Sequence, residues 1–233
     1  PLVGDIPGNT QKLIAAARQG IAEYAADLIV FPELVLTAYP PEDLLLRPSL
    51  DRRINSALEE IRQAKLPAWL VVGYPGRVES KLYNMLAVFH EGLCLTTYRK
   101  QSLPNYQVFD EKRYFAAGNT ACILTIKNIP VAFSICEDLW EEGPMQQAVE
   151  AGAKLMININ GSPYHTNKIQ ERQQVMRQRI SESRIPVAYV NQVGAQDELV
   201  FDGASMVFDQ ADNLCAMAPL YEEARLPVDC EIN

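Results

Sequence analysis

Histidine is scarce in this chain: His90 and His165 are the only two in 233 residues, so no others are available to complete a Cys-His catalytic pair. The five cysteines, Cys94, Cys122, Cys136, Cys215 and Cys230, are odd in number and form no C-x-x-C pair. Neither a disulfide framework nor a zinc-like spacing is expected, and the usage fits a reducing compartment. Positive charge is also in deficit, with 21 Lys and Arg against 29 Asp and Glu and a net charge of −8. Phosphate binding needs a basic face, so a nucleic-acid partner is not expected. No apolar run reaches the roughly 18 residues that a membrane span requires, and Pro1-Leu-Val-Gly-Asp-Ile-Pro7 lacks the basic and apolar regions of a signal peptide. A soluble, cytoplasmic protein is the expectation. There is no glycine-rich phosphate loop, and no linker, charge block or low-complexity tract divides the chain, so residues 1–233 are expected to form a single domain.

What is present is ordinary globular material, 48% hydrophobic and 21% charged, enough for a sizeable core. Helical periodicity predicts a helix from Asn9 to Ala26, capped by Asn9 or Thr10, and a second from Leu50 to Ala64 with Ile54, Ala57, Leu58 and Ile61 on its apolar stripe. Strands are predicted at 28–31, 69–74, 83–89, 93–98, 121–126 and 131–135. A helix from about Met145 to Ala151, a strand at 155–160, a helix at 169–183 and strands at 187–191 and 203–208 follow, with one further hairpin strand. This alternation predicts an α/β protein with mixed sheets.

The run Ile129-Pro-Val-Ala-Phe-Ser-Ile-Cys-Glu-Asp-Leu-Trp140 delivers Cys136 from a strand into the acidic pair Glu137-Asp138. Two more strands run into charge in the same way, one ending at Glu33 and one at Lys100. A thiol becomes a nucleophile only as the thiolate, so it needs a base or a neighbouring cation. His90 reads as a solvated residue of a hairpin turn and His165 sits in the loop Gly161–Lys168; the alternative base is Glu33, desolvated by Leu34-Val-Leu36. Lys100 would then stabilise the thiolate and an oxyanion. The bland readings stand beside these: Cys136 as a small core residue, and Glu33 with Lys100 as a structural ion pair.

Taken together, Phe31-Pro-Glu33, Tyr39-Pro-Pro-Glu-Asp-Leu-Leu-Leu-Arg-Pro48, Tyr98-Arg-Lys100, Leu103-Pro-Asn-Tyr-Gln-Val-Phe-Asp-Glu111 and Cys136-Glu-Asp-Leu-Trp140 resemble the Glu-Lys-Cys set of the nitrilase superfamily. With Asn160-Gly-Ser-Pro-Tyr-His165 added, the strings are similar to the glutaminase domains of glutamine-dependent NAD synthetases over nearly the whole chain.

The resemblance implies a four-layer αββα sandwich and a set of roles. Glu33 would be the general base, Cys136 the nucleophile that forms a γ-glutamyl thioester, and Lys100 the oxyanion stabiliser, helped by the backbone N–H of Glu137. Glu111 would be a second active-site glutamate; Tyr106, Ser162 and Lys168 would hold the glutamine head, and Tyr39 would line the pocket. Glutamine is then the substrate, and the partner is a synthetase domain that accepts ammonia through a tunnel. A homo-oligomer is expected. No metal or cofactor is expected in this chain, since ATP and Mg belong to the synthetase half, whose Ser-Gly-Gly-x-Asp-Ser loop is absent here. Against the family pattern, the resemblance also implies that a first strand ahead of Leu2 is missing. The rival readings are a free-standing amidase or carbamoylase, and a catalytically idle domain kept for oligomer contacts.

Overall fold

A computed structural model describes residues 1–232 and divides them into two compact units, Pro1–Asn119 and the remainder from Thr120 onward. The first unit opens with α1 (Ile6–Tyr24), which starts three residues earlier than the periodicity predicts. Asp5 is the cap, its carboxylate accepting the Gly8 N–H at 3.1 Å, and Pro7 occupies the first turn, where a missing N–H costs nothing. Asn9 and Thr10 are not caps. Both are buried, Asn9 donating to the Leu2 and Leu36 carbonyls and Thr10 to that of Ile6. β1 (Leu28–Val30) follows, and then α2 (Leu50–Gln63), which buries Leu50, Ile54, Ala57 and Ile61 and packs on α1.

β2 (Trp69–Val78), β3 (Lys81–His90) and β4 (Leu93–Arg99) complete a four-stranded sheet in the order β1-β2-β3-β4, with β1 parallel to β2 and the rest antiparallel. One expectation fails here. His90 is not a solvated turn residue: it closes β3, half-buried, with its ring stacked on that of Trp69 at 3.9 Å. Cys94 is exposed, because β4 is the outermost strand of its sheet and its first three residues are exposed.

The second unit carries β5 (Cys122–Ile126), β6 (Ile129–Ile135), α3 (Glu142–Glu150), β7 (Leu155–Asn160), α4 (Lys168–Ser183) and β8 (Val187–Asn191). β9 (Val193–Gln196) and β10 (Leu199–Asp202) form a separate hairpin, and β11 (Met206–Phe208) and β12 (Leu214–Met217) finish a six-stranded sheet in the order β12-β11-β8-β7-β6-β5. β6, β7 and β8 run parallel, joined by α3 and α4, which pack on each other over a core of Met145, Met156, Met176, Ile180 and Phe208. The hairpin β9–β10 was not expected, since Val-Gly-Ala-Gln is short and carries little β-forming bulk. The strand predicted at 203–208 begins at Met206, because Gly203 (φ +70°) and Ala204 (φ +54°) leave the extended region. Each unit thus pairs one main sheet with two helices, and the α/β class expected from the alternation is the one adopted. Among the described residues no helix is long and apolar enough to cross a membrane.

Candidate active site

In the first unit, the segment after β1 folds back on the sheet and buries Glu33 completely. Gly73 of β2 makes this approach possible: a Cβ there would lie 2.6 Å from the Leu34 nitrogen and 2.7 Å from the Pro32 oxygen. Two backbone bonds pin the segment to β2, Phe31 N–H to the Val71 carbonyl at 3.0 Å and Leu36 N–H to the Gly73 carbonyl at 3.4 Å. Lys100, directly after β4 and equally buried, places its Nζ 2.8 Å from Glu33 Oε1 and 2.8 Å from Glu111 Oε1. Glu111, on the 3-10 turn Glu111–Arg113, also accepts the Tyr39 hydroxyl at 3.0 Å. Glu33 Oε1 accepts a second bond, from Asn84 Nδ2 at 2.7 Å.

Two carboxylates therefore share one ammonium away from solvent. Burying such a set is costly unless its charge is nearly balanced, so protons redistribute within it. Burial pushes the Glu111 carboxyl up to about 7, with the Lys100 ammonium opposing the rise and the Glu33 carboxylate adding to it. Glu111 Oε2 is buried with no hydrogen-bond partner, which also favours the neutral acid. A cavity of about 180 Å³ lined by Tyr39, Pro41, Glu111, Arg113 and Tyr114 opens beside Glu111, room for several waters.

In the second unit, β6 ends at Ile135 and the chain turns sharply into the 3-10 turn Cys136–Leu139. Cys136 takes φ +46°, a left-handed conformation that costs a non-glycine residue roughly 1–2 kcal/mol. Asp138 holds the turn, its buried carboxylate accepting the Ile135 N–H at 2.9 Å. One member of the acidic pair after the cysteine is thus structural. Lys168 opens α4 and sets its ammonium 4.1 Å above the Trp140 ring, with Glu171 at 3.5 Å.

Ser162 is held from two sides. Asn191 accepts its N–H at 2.9 Å and donates to its carbonyl at 3.1 Å, while the fully buried Arg172 donates to the same carbonyl at 2.8 Å and to Ser162 Oγ at 3.2 Å. Arg172 in turn forks onto Asp202 at 2.8 and 3.0 Å, so the guanidinium is both neutralised and saturated.

Of the residues singled out in the sequence, Glu33, Lys100, Glu111 and Tyr39 converge in the first unit. Cys136 and Glu137 share one turn in the second, where Ser162 and Lys168 lie in the loop and helix that follow β7. Tyr106 is half exposed and edge-on to Phe109, whose ring is 6.5 Å from that of Tyr39. His165 is exposed, its Nε2 3.4 Å from Glu171. Asn84, Asn191, Arg172 and Asp202 were missed. The signal for Asn84 was a lone amide in the apolar run Leu82-Tyr-Asn-Met-Leu-Ala-Val-Phe89, since a polar group inside such a strand is buried at a cost unless it has a partner.

A model of the carbon-nitrogen hydrolase family matches residues 2–231. The glutamine-dependent NAD(+) synthetase of Xylella fastidiosa (strain Temecula1 / ATCC 700964) is 42% identical over 229 residues, covering 97% of this chain and 42% of that protein. The solved structure of the glutamine-dependent NAD+ synthetase from Acinetobacter baumannii, in complex with ADP, matches with a TM-score of 0.93 at 38% identity, over 96% of this chain and 42% of that one. An amidase of the nitrilase superfamily from Nesterenkonia AN1 shares the fold, with a TM-score of 0.84 at 23% identity over 94% of this chain and 82% of that one. The chain spans less than half the length of the synthetases it matches.

Proposed function

Because the chain belongs to the carbon-nitrogen hydrolase family, we propose that it hydrolyses the side-chain amide of glutamine and supplies ammonia for the amidation of deamido-NAD. The observation that carries the reading is the dry Glu33–Lys100–Glu111 cluster, with a lysine bonded to both carboxylates, in a chain so similar to glutamine-dependent synthetases. In the reaction Glu33 takes the thiol proton of Cys136, and the thiolate attacks the amide carbon. Lys100 and the Glu137 N–H stabilise the oxyanion; collapse expels ammonia, which leaves with the proton Glu33 returns, and a γ-glutamyl thioester remains. Glu33 then deprotonates a water that cleaves the thioester, so that glutamine and water give glutamate and ammonia. Glu111 positions the attacking groups, and the cavity beside it is a reservoir for that water.

Ser162, Lys168 and Tyr106 bind the amino-acid head, and Tyr39 lines the pocket. Support comes from the restraint already imposed on two of them: Lys168 is steadied on Trp140 and Ser162 by Arg172 and Asn191, which reduces the entropy lost when substrate binds. The chemistry needs no metal or cofactor in this domain, which acts as one catalytic module in the cytoplasm. ATP and Mg serve a synthetase segment that receives the ammonia, in a homo-oligomeric assembly. A free-standing amidase or carbamoylase is not favoured, because the amidase likeness is one of fold at 23% identity.

The test is ammonia release from glutamine against simple aliphatic amides. Glutamine is expected to be preferred, with Cys136→Ala abolishing turnover. Equal rates on both substrate classes would sink the glutamine assignment.

A further inference from the structure

We infer that Asn84 is a positioning residue that keeps Glu33 the ionised, correctly turned member of the two carboxylates on Lys100, and so decides which of them is the base. The inference rests on the base role proposed for Glu33. Lys100 does not discriminate between the acids, since its Nζ lies 2.8 Å from an Oε1 of each. The neutral partners do. Asn84 donates Nδ2 to Glu33 Oε1 at 2.7 Å, and an amide N–H can only donate, so it bonds the carboxylate more strongly than the neutral acid and favours the ionised form. Turning the amide round would set Oδ1 against Oε1, two acceptors in contact. The corresponding partner of Glu111 is the Tyr39 hydroxyl at 3.0 Å, which can accept as well as donate and therefore tolerates a neutral acid.

Asn84 is built into the fold at this spot. It is fully buried in β3, its carbonyl accepts the Lys100 N–H at 2.9 Å, and its register partner on β2 is Pro75. One residue thus anchors the backbone of the lysine and the carboxylate of the base. Its Oδ1 has no hydrogen-bond partner, so the amide is kept at a desolvation cost for what Nδ2 does. Among the described residues of this unit, the charged and titratable groups facing Glu33 include Lys100, from the end of β4, and Glu111, with Tyr39 behind it.

The test compares wild type with Asn84→Ser, which loses the reach of the amide, and the isosteric Asn84→Asp, which replaces the donor with an acceptor once ionised. Steady-state glutamine hydrolysis is measured from pH 5 to pH 9, together with the pH dependence of Cys136 alkylation by iodoacetamide, which needs no glutamine. A hydrogen bond to a charged group of this kind corresponds to roughly a tenfold to hundredfold effect. Asn84→Ser is expected to lower kcat by about that factor with the KM for glutamine nearly unchanged, and to move the acid limb of both profiles to higher pH. Asn84→Asp is expected to lose the most activity at high pH, where its carboxylate faces that of Glu33. Unchanged profiles in a folded variant overturn the inference, as does a rise in KM at constant kcat. Loss of the fold in both variants would assign Asn84 to architecture alone and overturn it too. If wild type releases no ammonia from glutamine but the alkylation profile still shifts in the variants, the substrate assignment fails and the role of Asn84 stands.

Discussion

At the scale of single residues, the protonation of Glu111, driven by burial against the pull of the shared lysine, is the cluster's most telling property. Burial raises its carboxyl from the ordinary 4.5 to about 7, so in that window the folded chain holds a proton that the unfolded chain has released. Stability from this group is therefore complete below about pH 4.5 and is lost as pH rises toward 7, by about 1 kcal/mol per pH unit at the steepest. Glu111→Gln cannot titrate and is expected to remove that slope. Denaturant melts of wild type and variant across pH 4–8 check this, and parallel curves would show that folding does not shift the titration of Glu111.

At the scale of elements, two backbone features place the chemistry. β2 passes so close beneath Glu33 that Gly73 has no room for a side chain, because the atoms a Cβ would strike belong to the main chain and cannot swing away. Gly73→Ala is expected to lift the segment, at a cost of roughly 1–3 kcal/mol and a melting temperature lower by roughly 3–10 °C. The carboxylate would move relative to Asn84 and Lys100, so kcat/KM should fall about tenfold or more even where the protein stays folded. Calorimetry and glutamine kinetics on one preparation read both effects, and full activity would mean that the loop relaxes without carrying Glu33.

The second feature is the turn after β6, where Cys136 sits at φ +46°. Glycine relieves the steric clash of the left-handed conformation and alanine does not. Cys136→Gly is thus expected to be more stable than Cys136→Ala by roughly 1 kcal/mol, or a few degrees in Tm, with both expected to be inactive. Identical melting temperatures would show that the turn carries no strain.

At the scale of the whole molecule, the chain matches less than half of the synthetases it resembles and contains no phosphate-binding loop. Incubated alone with deamido-NAD, ATP, Mg and ammonia, the 233-residue chain is expected to form no NAD, while still releasing ammonia from glutamine. NAD detected by chromatography would overturn that division of labour.

The elements whose cause is local were legible in the sequence. Strands 155–160 and 187–191 begin and end at the residues the sequence predicts, and the stripe on α2 is the one its periodicity marks out. The candidate chemistry was legible for the same reason, since Glu33, Lys100 and Cys136 each follow a short apolar strand. What the sequence could not disclose were relations between distant residues. Strand order leaves β4 at an edge and exposes Cys94, although its neighbours in sequence are apolar. His90 left its expected turn for the face of Trp69 because β3 extends through it. The bond from Asn84 to Glu33 joins residues 51 apart, and that from Lys100 to Glu33 residues 67 apart. Local pattern reports which residues are buried; only the packing of strands on one another decides which buried carboxylate meets the lysine, which meets the amide, and therefore where the proton rests.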